Sequence, residues 1–206
     1  MPDFERFENY YNYCLSRKLH NFKIEMDGEW YCYLNTYPEK FFEVFNMRTG
    51  FYFCSNVLDV DDLFSPENKR HATCRSYPAL IDIGVMGRCN HGCKYCYQNA
   101  KSEGENMSFE MYKDIIDTFS RKTFQVALGG AGNPNEHPEF ENLLAYAKMR
   151  GVIPSFTTRC INSAQAEIAK KYVGKVALSY DPADLTSVFI SSMLALKTAG
   201  IKPSIH

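Results

Sequence analysis

No stretch of this chain is apolar for long enough to cross a bilayer, which takes about 20 consecutive residues. The opening Met1-Pro2-Asp3-Phe4-Glu5 lacks the basic-then-apolar order of a secretory leader, so the expected location is cytoplasmic. An excess of either charge is also missing. The 23 Lys and Arg nearly balance 24 Asp and Glu, for a formal net charge of −1, which argues against nucleic acid or an anionic membrane as a partner. There is no internal repeat and no low-complexity segment, which excludes a repeat architecture. No Ser/His/Asp arrangement and no paired-carboxylate motif is present to support hydrolysis.

What remains is a chain of 206 residues, long enough for one domain with a core plus a smaller module. It carries eight cysteines, and in a reducing compartment these are thiols rather than disulfides. Five of them (Cys14, Cys32, Cys54, Cys74 and Cys160) are scattered and read as small half-buried residues. The other three, Cys89, Cys93 and Cys96, fall within eight positions and need a separate account.

Two parts are expected. Residues 1–75 are aromatic and irregular, with short runs rich in strand formers: Glu29 to Leu34, Phe41 to Phe45 and Phe51 to Phe53. Asn46-Met47-Arg48-Thr49-Gly50 suits a hairpin connection, so a small antiparallel sheet is predicted. Asp59 to Arg75 is polar and holds Pro66, which suggests a linker with a short helix.

Residues 76–206 change to a strand–loop–helix rhythm. Strands are expected at Ala79 to Val85, Phe124 to Leu128, Val152 to Thr157 and Lys175 to Ser179, with a fifth starting at Ile201. Ser108 suits the N-cap of a helix with Phe109, Tyr112, Ile115, Ile116 and Phe119 at helical spacing. Pro138 suits the first turn of the next helix, which Gly151 ends. Ser163 opens another, and Leu185 to Ala199 forms a last one closed by Gly200. Repeated strand–helix units imply parallel strands with right-handed crossovers, hence an α/β barrel or a doubly wound sheet.

The loop after the first of these strands reads Met86-Gly87-Arg88-Cys89-Asn90-His91-Gly92-Cys93-Lys94-Tyr95-Cys96-Tyr97. Its C-x3-C-x2-C spacing lets three thiolates converge on one metal centre. A cubane cluster usually takes four cysteines, so with three one iron stays open for a small molecule. The spacing also admits a Cys3His zinc site with His91 as fourth ligand, a redox pair at Cys93 and Cys96, or chance clustering. After the second strand comes Leu128-Gly129-Gly130-Ala131-Gly132-Asn133-Pro134, where glycine allows a bend that exposes backbone groups to a ligand.

The two motifs, in this order and after these strands, resemble the radical S-adenosylmethionine (SAM) superfamily over about residues 79–206. The resemblance implies an incomplete (βα) partial barrel behind a small β module. It implies a [4Fe–4S] cluster on Cys89, Cys93 and Cys96, with SAM chelating the open iron and Tyr95 near the adenine. It also implies SAM contacts from Gly129, Gly130, Asn133 and Ser179. The segment departs from the family's usual Gly-Gly-Glu-Pro by lacking the acidic residue. His137 suits either the site or a simple helix start. Thr157-Thr158-Arg159 and Ser179-Tyr180-Asp181 fall at strand ends, where α/β barrels build their sites. The family core commonly has six strand–helix units; four and the start of a fifth strand are legible here, so the barrel reads as truncated.

The resemblance further implies that a reduced cluster, fed by an external electron donor, cleaves SAM to a 5′-deoxyadenosyl radical that abstracts hydrogen from the substrate. The aromatic module suits a peptide bound by strand addition, which makes a peptide or protein the leading substrate class, although Trp30, Phe41, Phe42, Phe51 and Phe53 suit a small core better than a peptide site. The alternative is a zinc-binding protein without catalysis, or a degenerate barrel fragment that works with a partner.

Overall fold

The computed structural model describes residues 4–36, 40–55, 77–94, 96–180 and 187–206. The chain divides into two compact units. One holds Met1–Ala79 with Arg121–Phe124, and the other holds Leu80–Ser120 with Gln125–His206.

The first unit packs helix α1 (Phe4–Ser16) on a four-stranded antiparallel sheet of β1 (Lys23–Met26), β2 (Trp30–Asn35), β3 (Phe41–Asn46) and β4 (Tyr52–Ser55), in sequential order. The two central strands are buried almost throughout, which explains why they read as aromatic runs rather than as alternation. Phe7, Tyr10 and Cys14 of α1 pack on Cys32, Leu34, Phe42 and Val44. On the opposite face, Phe124 stacks on Tyr31 and Phe45. Each such ring contributes about 1.5–3 kcal/mol by leaving water. The Asn46–Gly50 turn forms as expected. Asn46 Oδ1 accepts from the backbone N–H groups of Arg48 and Thr49 at 3.0 and 2.8 Å, and Gly50 takes φ +71°. Helix α1 and strand β1 were not expected from the sequence. The expected linker over Asp59–Arg75 lies mostly or wholly outside the described residues, as does Cys74.

The second unit is a five-stranded parallel sheet: β5 (Leu80–Met86), β6 (Gln125–Gly130), β7 (Ile153–Thr158), β8 (Lys175–Leu178) and β9 (Ser204–Ile205). Its order is strictly sequential, β5-β6-β7-β8-β9. A doubly wound sheet reverses direction at a switch point, so this order decides for the barrel type. Helices α2 (Phe109–Phe119), α3 (Phe140–Met149), α4 (Ser163–Tyr172) and α5 (Ser187–Thr198) supply the crossovers. Their apolar faces meet the sheet in one core that includes Tyr112, Ile116, Val126, Leu143, Leu144, Phe156 and Leu196.

The helix starts follow local chemistry. Ser108 caps α2 by accepting from Met111 N at 3.2 Å. Asn162 and Gln165 form a reciprocal capping box on α4. The helix after β6 begins later than expected. Pro134–Glu136 makes a 3-10 turn, Pro138 sits in the turn before α3, and α3 starts at Phe140. The last helix is described from Ser187, so Leu185 lies outside the described residues. No helix among the described residues is long and apolar enough to cross a membrane.

Candidate functional site

Parallel strands in one sheet end on the same side, so the loops after β5, β6, β7 and β8 share one rim. The loop after β5 is pinched at its neck. Met107 N donates to Val85 O at 3.0 Å, Gly87 N to Asn106 Oδ1 at 3.1 Å, and Cys89 N to Lys101 O at 2.7 Å. A Cβ on Gly87 would stand 1.9 Å from Glu105 O, and one on Gly104 would stand 2.1 Å from Gly87 O. Only glycine permits this approach. Cys89, Cys93 and Cys96 sit on the loop, half-buried. Tyr95 lies outside the described residues.

Gly129 and Gly130 are the last two residues of β6, not a loop after it. They pair with Gly84 and Met86 of β5. Gly130 has φ +112°, and a Cβ there would lie 2.3 Å from Met86 O, the carbonyl that accepts from Ala131 N at 2.7 Å. The strand therefore turns tightly against the root of the cysteine loop.

Asn133 is buried and central. Its Oδ1 accepts from Arg159 N at 2.9 Å, and its Nδ2 lies 2.7 Å from His91 Nε2 and 2.8 Å from Glu136 Oε1. Arg159, just past β7, donates from Nη1 to Cys93 Sγ at 2.6 Å. This contact was not foreseen. Arg159 was legible only as a strand-end residue, and its reach across the sheet to a loop 66 residues away follows from strand order alone. Cys160 likewise stands beside Glu136, with its Sγ 3.8 Å from Oε1. Burial and then the Glu136 charge push its thiol up from the usual range.

The other strand-end candidates take simpler roles. Thr158 Oγ1 donates to Cys160 O at 2.8 Å and closes the turn after β7. Ser179 follows β8 on the same rim, where its N–H donates to Thr158 O at 2.9 Å, and Asp181 lies outside the described residues. His137 is a helix-start residue. Its Nδ1 accepts from Glu139 N at 3.0 Å, and its Nε2 meets Met107 O at 3.0 Å. His91 faces Glu136 and Asn133 through Nε2, so that nitrogen is occupied by a partner set other than the three loop cysteines.

The residues present fit an iron–sulfur centre. Three thiols sit on one glycine-pinched loop, a guanidinium donates to one of the sulfurs, and the neighbouring glycine backbone leaves no room for side chains.

Comparison with known proteins agrees with the fold. Residues 83–184 match the family model of the Radical SAM superfamily. A tungsten-containing aldehyde ferredoxin oxidoreductase cofactor-modifying protein from Pyrococcus furiosus is 27% identical over 125 residues, covering 57% of this chain and 35% of that protein. An Fe-coproporphyrin III synthase from Methanosarcina barkeri is 33% identical over 103 residues, covering 49% and 25%. The chain thus spans about a third or less of these relatives. Among solved structures, SuiB from Streptococcus suis, bound to S-adenosylmethionine or to precursor peptide SuiA, superposes with TM-score 0.53 at 20% identity. The match covers 63% of this chain and about a third of SuiB (34% and 33%).

Proposed function

We propose, for a chain whose residues 83–184 belong to the radical SAM superfamily, that Cys89, Cys93 and Cys96 hold a [4Fe–4S] cluster and that the adjoining rim binds SAM. The family implies an iron–sulfur cluster and SAM; the cluster type, the ligands and the SAM-contacting residues are part of the proposal. The observation that carries it is the meeting of the cysteine loop with the Gly129–Gly130 strand end, with Arg159 on Cys93. Held by Cys89, Cys93 and Cys96, a reduced cluster of this kind would supply the one-electron chemistry for reductive cleavage of SAM.

The chain's own residues bind and orient. Gly130 lets the half-buried strand end turn where a Cβ would meet Met86 O, which brings its backbone against the root of the cysteine loop. Asn133 stands where the family usually carries an acidic residue and offers an amide in its place. Ser179 supplies a hydroxyl just past β8, and the family resemblance alone assigns Tyr95 to the adenine. Arg159, donating to a sulfur, tunes the potential of the centre by hydrogen bonding and charge. For the substrate we favour a peptide or protein. SuiB, which shares the fold, binds a precursor peptide, and the first unit offers an antiparallel sheet whose outer strands, β1 and β4, each pair on one side among the described residues.

The test is anaerobic reconstitution with iron and sulfide, reduction with dithionite and addition of SAM, with 5′-deoxyadenosine quantified and Cys93→Ala as control. Nucleoside from the wild type alone supports the reading. A cluster without cleavage retains the iron–sulfur assignment and overturns catalysis by these 206 residues alone. Absence of any cluster overturns the whole.

A further inference from the structure

Beside the cysteine loop, His91 Nε2, Glu136 Oε1 and Cys160 Sγ lie within 4.8 Å of one another. We infer that these three side chains form a second metal site, for a divalent cation of the zinc type, distinct from the cluster on Cys89, Cys93 and Cys96.

The hydrogen-bond arithmetic points to a cation. Asn133, only 7% exposed, aims its amide nitrogen among the three atoms: 2.7 Å from His91 Nε2, 2.8 Å from Glu136 Oε1 and 3.6 Å from Cys160 Sγ. Its orientation is fixed, because Oδ1 accepts from Arg159 N. An amide has two hydrogens for three neighbours. His91 Nε2 also lies 2.8 Å from Glu136 Oε1. If that nitrogen carries a proton, it can donate to the carboxylate, but it then meets the Asn133 amide donor to donor. If it carries none, it accepts from Asn133 but meets the carboxylate lone pair to lone pair. With Glu136 ionised, neither state of the imidazole nitrogen satisfies every contact. A cation gives imidazole, carboxylate and sulfur the same role, that of electron-pair donor, with the amide nitrogen displaced from between them.

The donor set and spacing fit. Nitrogen, oxygen and sulfur in one site suit zinc, and ligand atoms around a tetrahedral zinc stand roughly 3.3–3.8 Å apart. The Glu136–Cys160 separation is 3.8 Å and the His91–Glu136 separation 2.8 Å, so small rotations bring all three to bonding distance. Three protein ligands leave a fourth position for an exogenous group. Room for one is present. Glu136 and Cys160 also line a cavity of about 460 Å³ with Asn135, Ser163 and Ser192. Asn135 is held at this wall by its Nδ2, which donates to Cys160 O at 2.9 Å and Gln165 Oε1 at 3.0 Å.

The site does not depend on the cluster assignment, and the experiment keeps the two apart. The full chain, with its iron–sulfur centre reconstituted so that the loop cysteines are occupied, is titrated anaerobically with Co²⁺ as a spectroscopic stand-in for zinc. The expected result is one Co²⁺ per chain with a thiolate-to-cobalt charge-transfer band. Cys160→Ser removes the band without changing the iron content, and His91→Ala and Glu136→Gln weaken binding by at least about tenfold. The Cys89→Ala/Cys93→Ala/Cys96→Ala variant, checked for its native circular dichroism, retains the Co²⁺ site, so failure of the cluster reading leaves this one standing. Equal Co²⁺ binding by wild type and Cys160→Ser, or no Co²⁺ beyond iron, overturns the proposal. Loss of iron in Cys160→Ser overturns it too and assigns that thiol to the iron–sulfur centre.

Discussion

In the first unit, polar side chains close the fold. Asn46 ties its own hairpin, Tyr10 and Arg6 hold Asp27, and the buried carboxylate of Glu43 accepts from the Tyr52 hydroxyl. In the second unit, Asn133, His91, Glu136, Arg159 and Cys160 instead gather on one rim, where the single amide nitrogen of Asn133 faces three side-chain atoms. The thiols divide in the same way. Burial pushes Cys14 up to about 11 and Cys32 higher still, which makes both poor nucleophiles and poor ligands, whereas the loop cysteines are only half-buried. The difference lies in reach: the polar groups of the first unit complete turns and local pairs, whereas those of the second join residues from three separate strand ends.

Four measurements break or sharpen this contrast. The largest effect belongs to Phe42→Ala, which empties a fully buried position under α1. It should cost about 3–5 kcal/mol in chemical denaturation while iron uptake by the second unit persists. Loss of iron uptake in the folded variant would break the contrast. Next is Gly130→Ala. Holding a non-glycine residue at positive φ costs about 1–3 kcal/mol, and the new Cβ meets Met86 O. Iron uptake should fall along with melting temperature, because the strand end and the root of the loop share this contact.

A smaller effect of opposite sign is expected for Tyr112→Phe. The Tyr112 hydroxyl is buried in the second core with no hydrogen-bond partner among the described residues. Removing it should be neutral or stabilise by about 1 kcal/mol, raising the melting temperature. The smallest effect is electrostatic and confined to the first unit. Tyr10 and then Arg6 hold the Asp27 carboxyl below its usual range. A depressed carboxylate contributes stability above its unfolded value and loses that contribution as pH falls through its folded value. Wild type should therefore lose slightly more stability than Asp27→Asn on acidification below the ordinary carboxylate range, in denaturation curves taken across pH.

Much of the second unit is legible in the sequence because its signals are local. Ser108 with Phe109, Tyr112 and Ile116 marks a helix, and Gly151 and Gly200 mark two ends. The missed helix α1 shows the limit. Phe4, Phe7, Tyr10 and Cys14 do fall at helical spacing, but tyrosines and a cysteine in an aromatic stretch read equally as strand formers. The site divides along the same line. The cysteine and glycine motifs are contiguous and visible. Glu136 and Cys160 meet His91 only because parallel strands bring residues 45 and 69 positions away to one edge, and no short spacing encodes that. The usable signal was position: Cys160 stands two residues past β7, on the rim that carries Cys89.

The pinched neck of the cysteine loop has a consequence for how such a protein tolerates change. Because Val85 meets Met107 and Gly87 meets Asn106 before the loop departs, whatever lies between them is decoupled from the register of the sheet. Insertions or deletions inside the loop leave the neck in place but shift the contacts that Cys93 makes with Arg159 and His91 makes with Asn133 and Glu136. The loop is in effect a cassette with few attachments, and transplanting residues 87–106 between proteins requires matching the two neck contacts and the partners of Cys93 and His91 rather than an entire barrel.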